Sequence, residues 1–507
     1  MIFCLALLLR MDVLKEIEMG KKVIMKNATL YSMVIGILTA VPIVLIQGCT
    51  VGKDYKSPQV QMPEQWQESS DVFAVVHDPN LAGWWTIFTD DCLNGLIMQA
   101  IENNQDIKAA MHRVDASRAL RDYTAGQYYP NVDATGSYSR TQISKDGAVQ
   151  SETASDPFDL HSAGVDVLWE IDLFGKIKRS IESSEASYQA SIEDYRNVMV
   201  VLLAEVCRNY IDLRTTQTQI VYALDNIEIQ RRTMMLVQKR YESEIVGELD
   251  VRQAEVNLAN TESAVPLLHI VESAAMNRLA VLLGQMPGTL KDQLSEHKQL
   301  PVVQMTPAIG IPADLLRQRP DIRRAERQLA AQTALIGVAT ADLYPSLQLS
   351  GTFEIQSRQL SGLGNIHNQA YSFGPGLRWN LFDANRIKNI IRIEEAGAQE
   401  LLAKWENAVL SAAEEVQNAM TAYGQQLHRR VLLDDSVKSS RRSVELVENL
   451  YTNGLVDFQN VLDSQRTLFL QQEKLAESEG SALQALILFY KSCGGGWQAG
   501  TFQCNSR

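Results

Sequence analysis

The chain has little of what marks an enzyme, a metalloprotein or a nucleic-acid binder. Seven histidines are scattered through 507 residues, and six cysteines form no CxxC or Cys/His ligand set. No GxSxG, HExxH or P-loop pattern occurs, so none of the motif-borne chemistries is present. Acid pairs such as Glu414-Glu415 and Asp434-Asp435 fit solvated helix faces better than a catalytic dyad. A basic patch or stripe is also missing. With a net charge of −13, that argues against a nucleic-acid partner. Cys207 lies at helical spacing among Val206 and Tyr210, which predicts a packed thiol. Cys493 and Cys504 are left open to pairing in an oxidising compartment. Helix breakers are scarce as well: neither proline nor glycine occurs between Gly175 and Gly247.

What is present begins with strict alternation between Tyr344 and Phe382. Leu347, Leu349, Gly351, Phe353 and Ile355 alternate with Gln348, Ser350, Thr352, Glu354 and Gln356. After a Gly/Ser/Asn tip (Ser361 to Asn365), Tyr371, Phe373, Pro375, Leu377 and Trp379 alternate with Ser372, Gly374, Gly376, Arg378 and Asn380. Period two with one apolar and one polar face predicts a half-buried strand pair. A lone hairpin is not stable in water, so it must join other strands.

The chain supplies a second pair through an internal repeat. Asp106-Ile107 precedes Tyr129-Pro130 by 23 residues, as Asp321-Ile322 precedes Tyr344-Pro345, which sets an offset of 215. Beyond the strands, Lys176-Ile177-Lys178 matches Arg386-Ile387-Lys388, Tyr241 matches Tyr451, and Asp250-Val251 faces Asn460-Val461, now at 210. The offset changes only across the strands and loop tips, where insertions are easiest to accommodate. The earlier pair sets Val132, Ala134, Gly136, Tyr138, Ala163, Val165, Val167, Trp169 and Ile171 against Asp133, Thr135, Ser137, Ser139, Ser162, Gly164, Asp166 and Glu170.

At the N-terminus Lys21, Lys22 and Lys26 precede an apolar run from Leu30 to Ile46 that ends in Gln47-Gly48-Cys49. A basic region, an apolar core and a small residue before the cut describe an export signal. The run is at the short limit for a membrane span and is broken by Pro42. Met19 or Met25 fits the true start.

The organisation expected is a signal with upstream extension at 1–48 and a Pro- and Trp-bearing lead-in at 49–90. A first repeat covers 91–287 with strands at about 131–171, and a linker follows at 288–312. A second repeat covers 313–497 with strands at about 346–381, and a tail closes the chain at 498–507. Helix is predicted from Asp91 to Tyr128, from Lys176 past Tyr241, from Gly247 to Leu283, and again over 313–342, 386–451 and 458–491. In the long helix Tyr188, Ile192, Tyr195, Met199, Leu202, Val206 and Tyr210 alternate mostly threes and fours, a coiled-coil-like stripe. Such a helix reaches about 95 Å.

These stretches resemble the outer membrane efflux (TolC-like) family, in its lipoprotein branch serving resistance-nodulation-division systems. Carrying the resemblance are Trp169-Glu170-Ile171-Asp172-Leu173-Phe174-Gly175, Leu381-Phe382-Asp383, Arg319-Pro320-Asp321-Ile322, the turn from Tyr451 to Arg466, and Gly494-Gly495-Gly496-Trp497. It spans nearly all of residues 50–497. The resemblance implies a mainly α fold with membrane β, built as a duplicated helix–strand-pair–long-helix-hairpin unit. Four strands per chain would contribute to a trimeric 12-stranded β-barrel, continued by a periplasmic α-helical barrel. It further implies acylation of Cys49 as the anchor, no other cofactor, no enzymatic activity, and a location in the outer membrane. The implied partners are two further copies of the chain, a periplasmic adaptor, an inner-membrane pump and outer membrane lipid.

Physics reaches part of this independently. Open sheet edges are not tolerated in lipid, and membrane barrels need at least about 8 strands. A chain with four must borrow the rest: two copies reach the minimum, and three leave a wider lumen.

The gate residues follow from the resemblance alone. The turn at Tyr451 is the periplasmic tip in relatives, and Asp463 falls on the acidic position of the motif. Asn460 occupies a position that is acidic in some members. Gln459 replaces an apolar constriction residue. The alternative for Asp463 is a solvated or capping role, and for Tyr241 and Tyr451 it is packing. Glu244 stands where the second turn has Gly454. By function the chain is expected to be the exit duct of a tripartite efflux pump. The alternatives are a protein-secretion duct and a non-conducting, lipid-anchored coiled-coil protein.

Overall fold

The computed structural model describes residues 50–59, 66, 73–75, 81–143, 157–301, 303, 308–309 and 312–499. The signal segment, the acylation candidate Cys49, Cys504 and the first strand-pair tip at 144–156 lie outside the described residues.

The duplication is visible in element lengths. The first repeat runs α1 (Asp91–Asn103), α2 (Gln105–Gly126), β2 (Asn131–Thr141), β3 (Phe158–Ile171), α3 (Lys176–Glu242) and α4 (Glu248–Leu282). A two-residue strand, β1 (Ala74–Val75), precedes it. A short helix, α5 (Lys291–Leu294), and β4 (Ala308–Ile309) follow, with β1 and β4 paired in parallel. The second repeat runs α6 (Pro312–Gln318), α7 (Pro320–Ala341), β5 (Ser346–Ser357), β6 (Gln369–Arg378), α8 (Arg386–Thr452) and α9 (Phe458–Ser492). Helices α2 and α7 have 22 residues each, α3 and α8 have 67 each, and α4 and α9 have 35 each.

Two expectations need correction. The helix predicted from Asp91 to Tyr128 is two helices parted at Asn104, and the one predicted over 313–342 is parted at Arg319. Both breaks have a local cause. Asn104 turns its side chain back to accept from the backbone N–H of Asp106 and Ile107, capping α2. Pro320, first residue of α7, cannot donate the hydrogen bond that would continue α6 through Arg319. Conversely, α4 runs through Pro266 without a break. Pro266 lies on an exposed face, where water serves the carbonyl left without an N–H partner.

The four long helices that form hairpins end alike. Leu455 N–H reaches Leu450 O and Gly454 N–H reaches Tyr451 O; Ile245 and Glu244 repeat the pattern, as do Gln285 with Gly284 and Gly495 with Gly494. Each end closes on a left-handed residue, at φ +59° (Glu244), +70° (Gly284), +73° (Gly454) and +71° (Gly494).

The chain divides into two compact units that cut across the repeats. Of the described residues, one gathers those within 50–55, 121–184 and 332–396; the other gathers those within 56–120, 185–331 and 397–499. The first contains all four long strands and the residues where they meet helices. The second is helical. Its main core joins Trp84, Trp85 and Phe88 from the lead-in to Leu93, Leu203, Tyr210, Leu279, Val416 and Phe489. Trp84 stacks on Tyr490 at 5.2 Å between ring centroids. Cys207 and Cys493 are buried and have no disulfide partner among the described residues, and burial pushes the Cys493 thiol up to about 12. Packing is therefore the role of Cys207, as its spacing predicted.

Candidate functional site: a two-faced sheet and a helical tip

The four long strands form one antiparallel sheet in the order β2-β3-β5-β6. The two hairpins join through β3 and β5 in a register that no turn dictates. Val167 faces Gly351, Val165 faces Phe353, and Trp169 faces Leu349. Residues directly opposite in an antiparallel sheet share a face, so the register carries one chemical identity across all four strands. Val132, Val167, Gly351 and Phe373 form one apolar row; Asp133, Asp166, Thr352 and Ser372 form the neighbouring polar row. A one-residue slip at β3–β5 would mix the faces.

Neither face is packed by the rest of the unit. Every residue of β2 is exposed, and on the apolar side Val132, Tyr371 and Phe373 keep 59%, 68% and 78% of their surface. An exposed apolar sheet face of this extent is an interaction surface. The polar face behind it is half-exposed along β3 (Ser162, Asp166, Glu170) and exposed along β2, with no residue of either strand buried, which fits lipid on one side and water on the other. The outer edges of β2 and β6 have no partner strand among the described residues.

Two tryptophans pin the corners where helix turns into strand. The indole N–H of Trp169 donates to Tyr128 O at 2.9 Å, and that of Trp379 donates to Leu343 O at 3.1 Å. Both carbonyls lie two residues before the proline that opens a strand, Pro130 or Pro345. An apolar ring with a satisfied polar end suits a membrane–water boundary.

The helical unit carries the turn singled out for gating. Gln459, Asn460 and Asp463 are exposed on one face of α9. Gln459 donates to Asp463 Oδ1 at 3.0 Å, so the amide orients the carboxylate. Tyr451 points elsewhere. Its ring is buried against Phe458 at 5.3 Å, within a cluster that includes Val237, Val251, Val461 and Leu462. Tyr241, its counterpart in the first repeat, is exposed. Arg240 ties the two tips together. Its guanidinium lies 4.6 Å from the centre of the Tyr451 ring and donates to the carbonyls of Tyr451 and Thr452 at 2.7 and 3.3 Å. Burial, with Asp457 nearby, raises the Asp250 carboxyl above its ordinary range against the pull of Arg240.

Motif reading missed a buried polar spine inside the helical unit. Arg214 donates to Gln217 and to Glu296 O; Gln217 donates to Glu272 and to Leu294 O. Further along, Asn226 donates to Gln472, and Gln465 donates to Thr233 and Glu448. Burial raises Glu272, but hydrogen bonds from His269 and Gln217 and the nearby His297 bring it below the usual carboxylate value. The signal was available. The three-and-four spacing that ends in Tyr210 continues through Leu213, Gln217, Ile220, Ala223, Asn226, Gln230, Thr233 and Val237, with polar residues at seam positions. Such residues fix axial register at some cost in stability. Among the described residues no group of three His, Cys, Asp or Glu is placed to hold a metal ion.

A family model described as outer membrane efflux protein matches residues 96–285 and 311–495. Nodulation protein T of Rhizobium leguminosarum bv. viciae is 30% identical over 433 residues, covering 85% of this chain and 87% of the relative. The toluene efflux pump outer membrane protein TtgI of Pseudomonas putida is 29% identical over 466 residues, covering 90% and 97%. Among solved structures, the outer-membrane channel OprN superposes with a TM-score of 0.83 at 35% identity, covering 89% of this chain and all of that one.

Proposed function

This chain belongs to the outer membrane efflux protein family, and from that premise we propose how it conducts. It is an outer membrane efflux channel with a periplasmic helical extension. In the proposed arrangement three copies join β2 of one chain to β6 of the next, and twelve strands enclose a wet lumen. Each chain works as the exit duct of a tripartite assembly, receiving small molecules from an inner-membrane pump through a periplasmic adaptor. Acyl chains on Cys49 add an anchor. The duct itself supplies no energy; it supplies a water-filled path and a gate.

The observation that supports this reading most is the sheet with two unburied faces of opposite polarity and, among the described residues, two unpaired edges. A monomer cannot keep those edges in lipid. The helical tip is the gate in this reading. Three Asp463 side chains, each oriented by Gln459 and flanked by Asn460, form a ring of like charge at the constriction. Such a ring favours cations. Tyr451 acts from behind, as the buried strut on which Arg240 closes the hairpin.

Planar-bilayer conductance of the purified protein tests both parts. The expected result is a closed or low-conductance wild type, wider and less cation-selective after Asp463→Ala. Cysteine pairs placed on β2 and β6 should cross-link between chains into a trimer. A folded protein that stays monomeric, and never conducts even with the tip loosened, overturns the reading.

A further inference from the structure

Residues Thr50 to Asp54, immediately after Cys49 in sequence, are gripped by a constructed receptor. Val51 N–H donates to Phe174 O at 3.1 Å. The Arg179 side chain, only 4% exposed, donates through Nε to Val51 O at 3.2 Å and through Nη2 to Gly52 O at 3.3 Å and Asp54 Oδ1 at 2.7 Å. Its remaining nitrogen is held by Glu182 at 2.7 Å, and Lys178 donates to Thr50 Oγ1 at 3.1 Å. Three glycines make room. A Cβ on Gly175 would sit 2.8 Å from the Thr50 side chain, and one on Gly52 would sit 2.6 Å from Gly337 Cα. A Cβ on Gly337 would sit 2.8 Å from the Arg179 side chain.

The duplication provides an internal control. With the two repeats exchanged, the same three receptor positions are Asn385 for Gly175, Asn389 for Arg179 and Asp122 for Gly337. Asn385 keeps the left-handed backbone of Gly175, at φ +66° against +79°. The shared fold therefore asks only for a left-handed residue there. Gly175, Arg179 and Gly337 therefore come together only at the site that meets residues 50–54, and not at its repeat-related counterpart.

We propose that Arg179, Gly175 and Gly337 form an intramolecular receptor for the segment following Cys49. By holding that segment at Phe174, the receptor fixes where the lipid anchor enters the membrane, beside the Trp169 corner at the foot of β3. A fully solvated guanidinium would gain little from one exposed Asp54 carboxylate. A buried one that also saturates two backbone carbonyls holds the chain in a single path. The anchor and the sheet then form one body, and the acyl chains do not trail on a loose leash. This rests on the lipid reading of Cys49 given above.

The test is hydrogen exchange of the Val51 amide in the full-length protein, with four variants and a labelling arm. Arg179→Ala and, from the exposed strap side, Gly52→Val should each raise Val51 exchange by at least about tenfold, whereas Asn389→Ala should leave it unchanged. Cys49→Ser, exported behind a cleavable signal, should keep Val51 protected, because the chain and not the lipid makes the clamp. In wild type a photoactivatable fatty acid incorporated at Cys49 should cross-link to the segment 167–175, and Gly52→Val should scatter that pattern. Unchanged Val51 exchange in both Arg179→Ala and Gly52→Val overturns the clamp, as does loss of protection in Cys49→Ser. Cross-links spread over all four strands in wild type overturn the fixed entry point. No fatty-acid incorporation at all refutes the lipid reading, while the exchange arm still decides the clamp.

Discussion

The two halves of this chain are the same machine with three fittings exchanged. At the helical latch, Asn104 donates to Leu282 O in the first half, and Arg319 donates to Ser492 O in the second, at 2.9 and 2.7 Å. At the tip, Glu244 stands in the left-handed position that Gly454 holds in the other half. At the foot of the strands, Gly175 and Arg179 receive residues 50–54 where their counterparts Asn385 and Asn389 receive nothing comparable among the described residues. The backbone is conserved between the halves while the side chains change their mode of stabilisation. Hydrogen-bond geometry and helix length belong to the fold; charge and bulk belong to whatever each half uniquely touches.

The largest expected difference lies at the latch. Arg319 is 7% exposed and binds Asp321 through two nitrogens at 3.0 and 2.7 Å, with Glu415 at 2.9 Å. Arg319→Ala leaves Asp321 without its cation and should cost about 3 kcal/mol, the low end for a buried pair because Glu415 stays solvated. Asn104→Ala removes only a cap and a neutral donor, and should cost about 1–2 kcal/mol. Urea midpoints of the detergent-solubilised protein measure both, and equal costs would break the distinction. The arginine half also has a pH signature. Burial raises the Asp321 carboxyl, but the bonds to Arg319 outweigh it and hold the group below the ordinary value. Its contribution is therefore complete above about pH 4 and is lost as pH falls through the lower folded value. The gap between wild type and Arg319→Ala should narrow in acid, whereas that for Asn104→Ala should not.

The tips come next. A non-glycine residue in the left-handed region costs about 1–2 kcal/mol. Glu244→Gly should thus stabilise the first tip by about 1 kcal/mol, and Gly454→Ala should weaken the second by a similar amount. Hydrogen exchange over 240–250 and 450–460 reads each tip separately. A neutral Glu244→Gly would show that some contact of Glu244 offsets its strain.

Smallest is the effect of protons at Asp250, whose counterpart is the non-titrating Asn460. Burial and Asp457 raise the folded pKa of Asp250, so its ionised form opposes the native tip. Stability there should rise as pH falls through that raised value, by less than about 1 kcal/mol since the group is largely solvated. Protection at the tip, corrected for the intrinsic pH dependence of amide exchange, should increase in wild type as pH falls from neutral toward the ordinary carboxylate range, and Asp250→Asn should abolish that increase. A tip that loosens in acid would assign the dominant titration to another group.

Much of this was legible in the linear chain because periodic patterns survive without knowledge of neighbours. Alternation located β2, β3, β5 and β6, and repeat spacing anticipated paired helices of equal length. The breaks at Asn104 and Arg319 were not anticipated, because a cap or an arginine inside a helical pattern interrupts only one turn and leaves the apolar periodicity intact. Of the residues proposed for the gate, Asp463, Asn460 and Gln459 share one exposed helix face. Tyr451 is a buried strut, a distinction the motif could not draw because the exposed Tyr241 carries the same spacing. Arg240 escaped notice for want of any pattern, since its partners are carbonyls more than two hundred residues away.

The order of amino acids by itself determined the duplication, the four strands with their inner and outer faces, the long helices and the family, because each is written in spacings along one chain. The tertiary structure alone decided which strand of one hairpin meets the other, how the polar spine pairs across helices, and that residues 50–54 rest on Arg179. Those are choices among long-range partners. They depend on which carbonyls and edges remain unsatisfied once the local elements have formed, and no local pattern can carry that information.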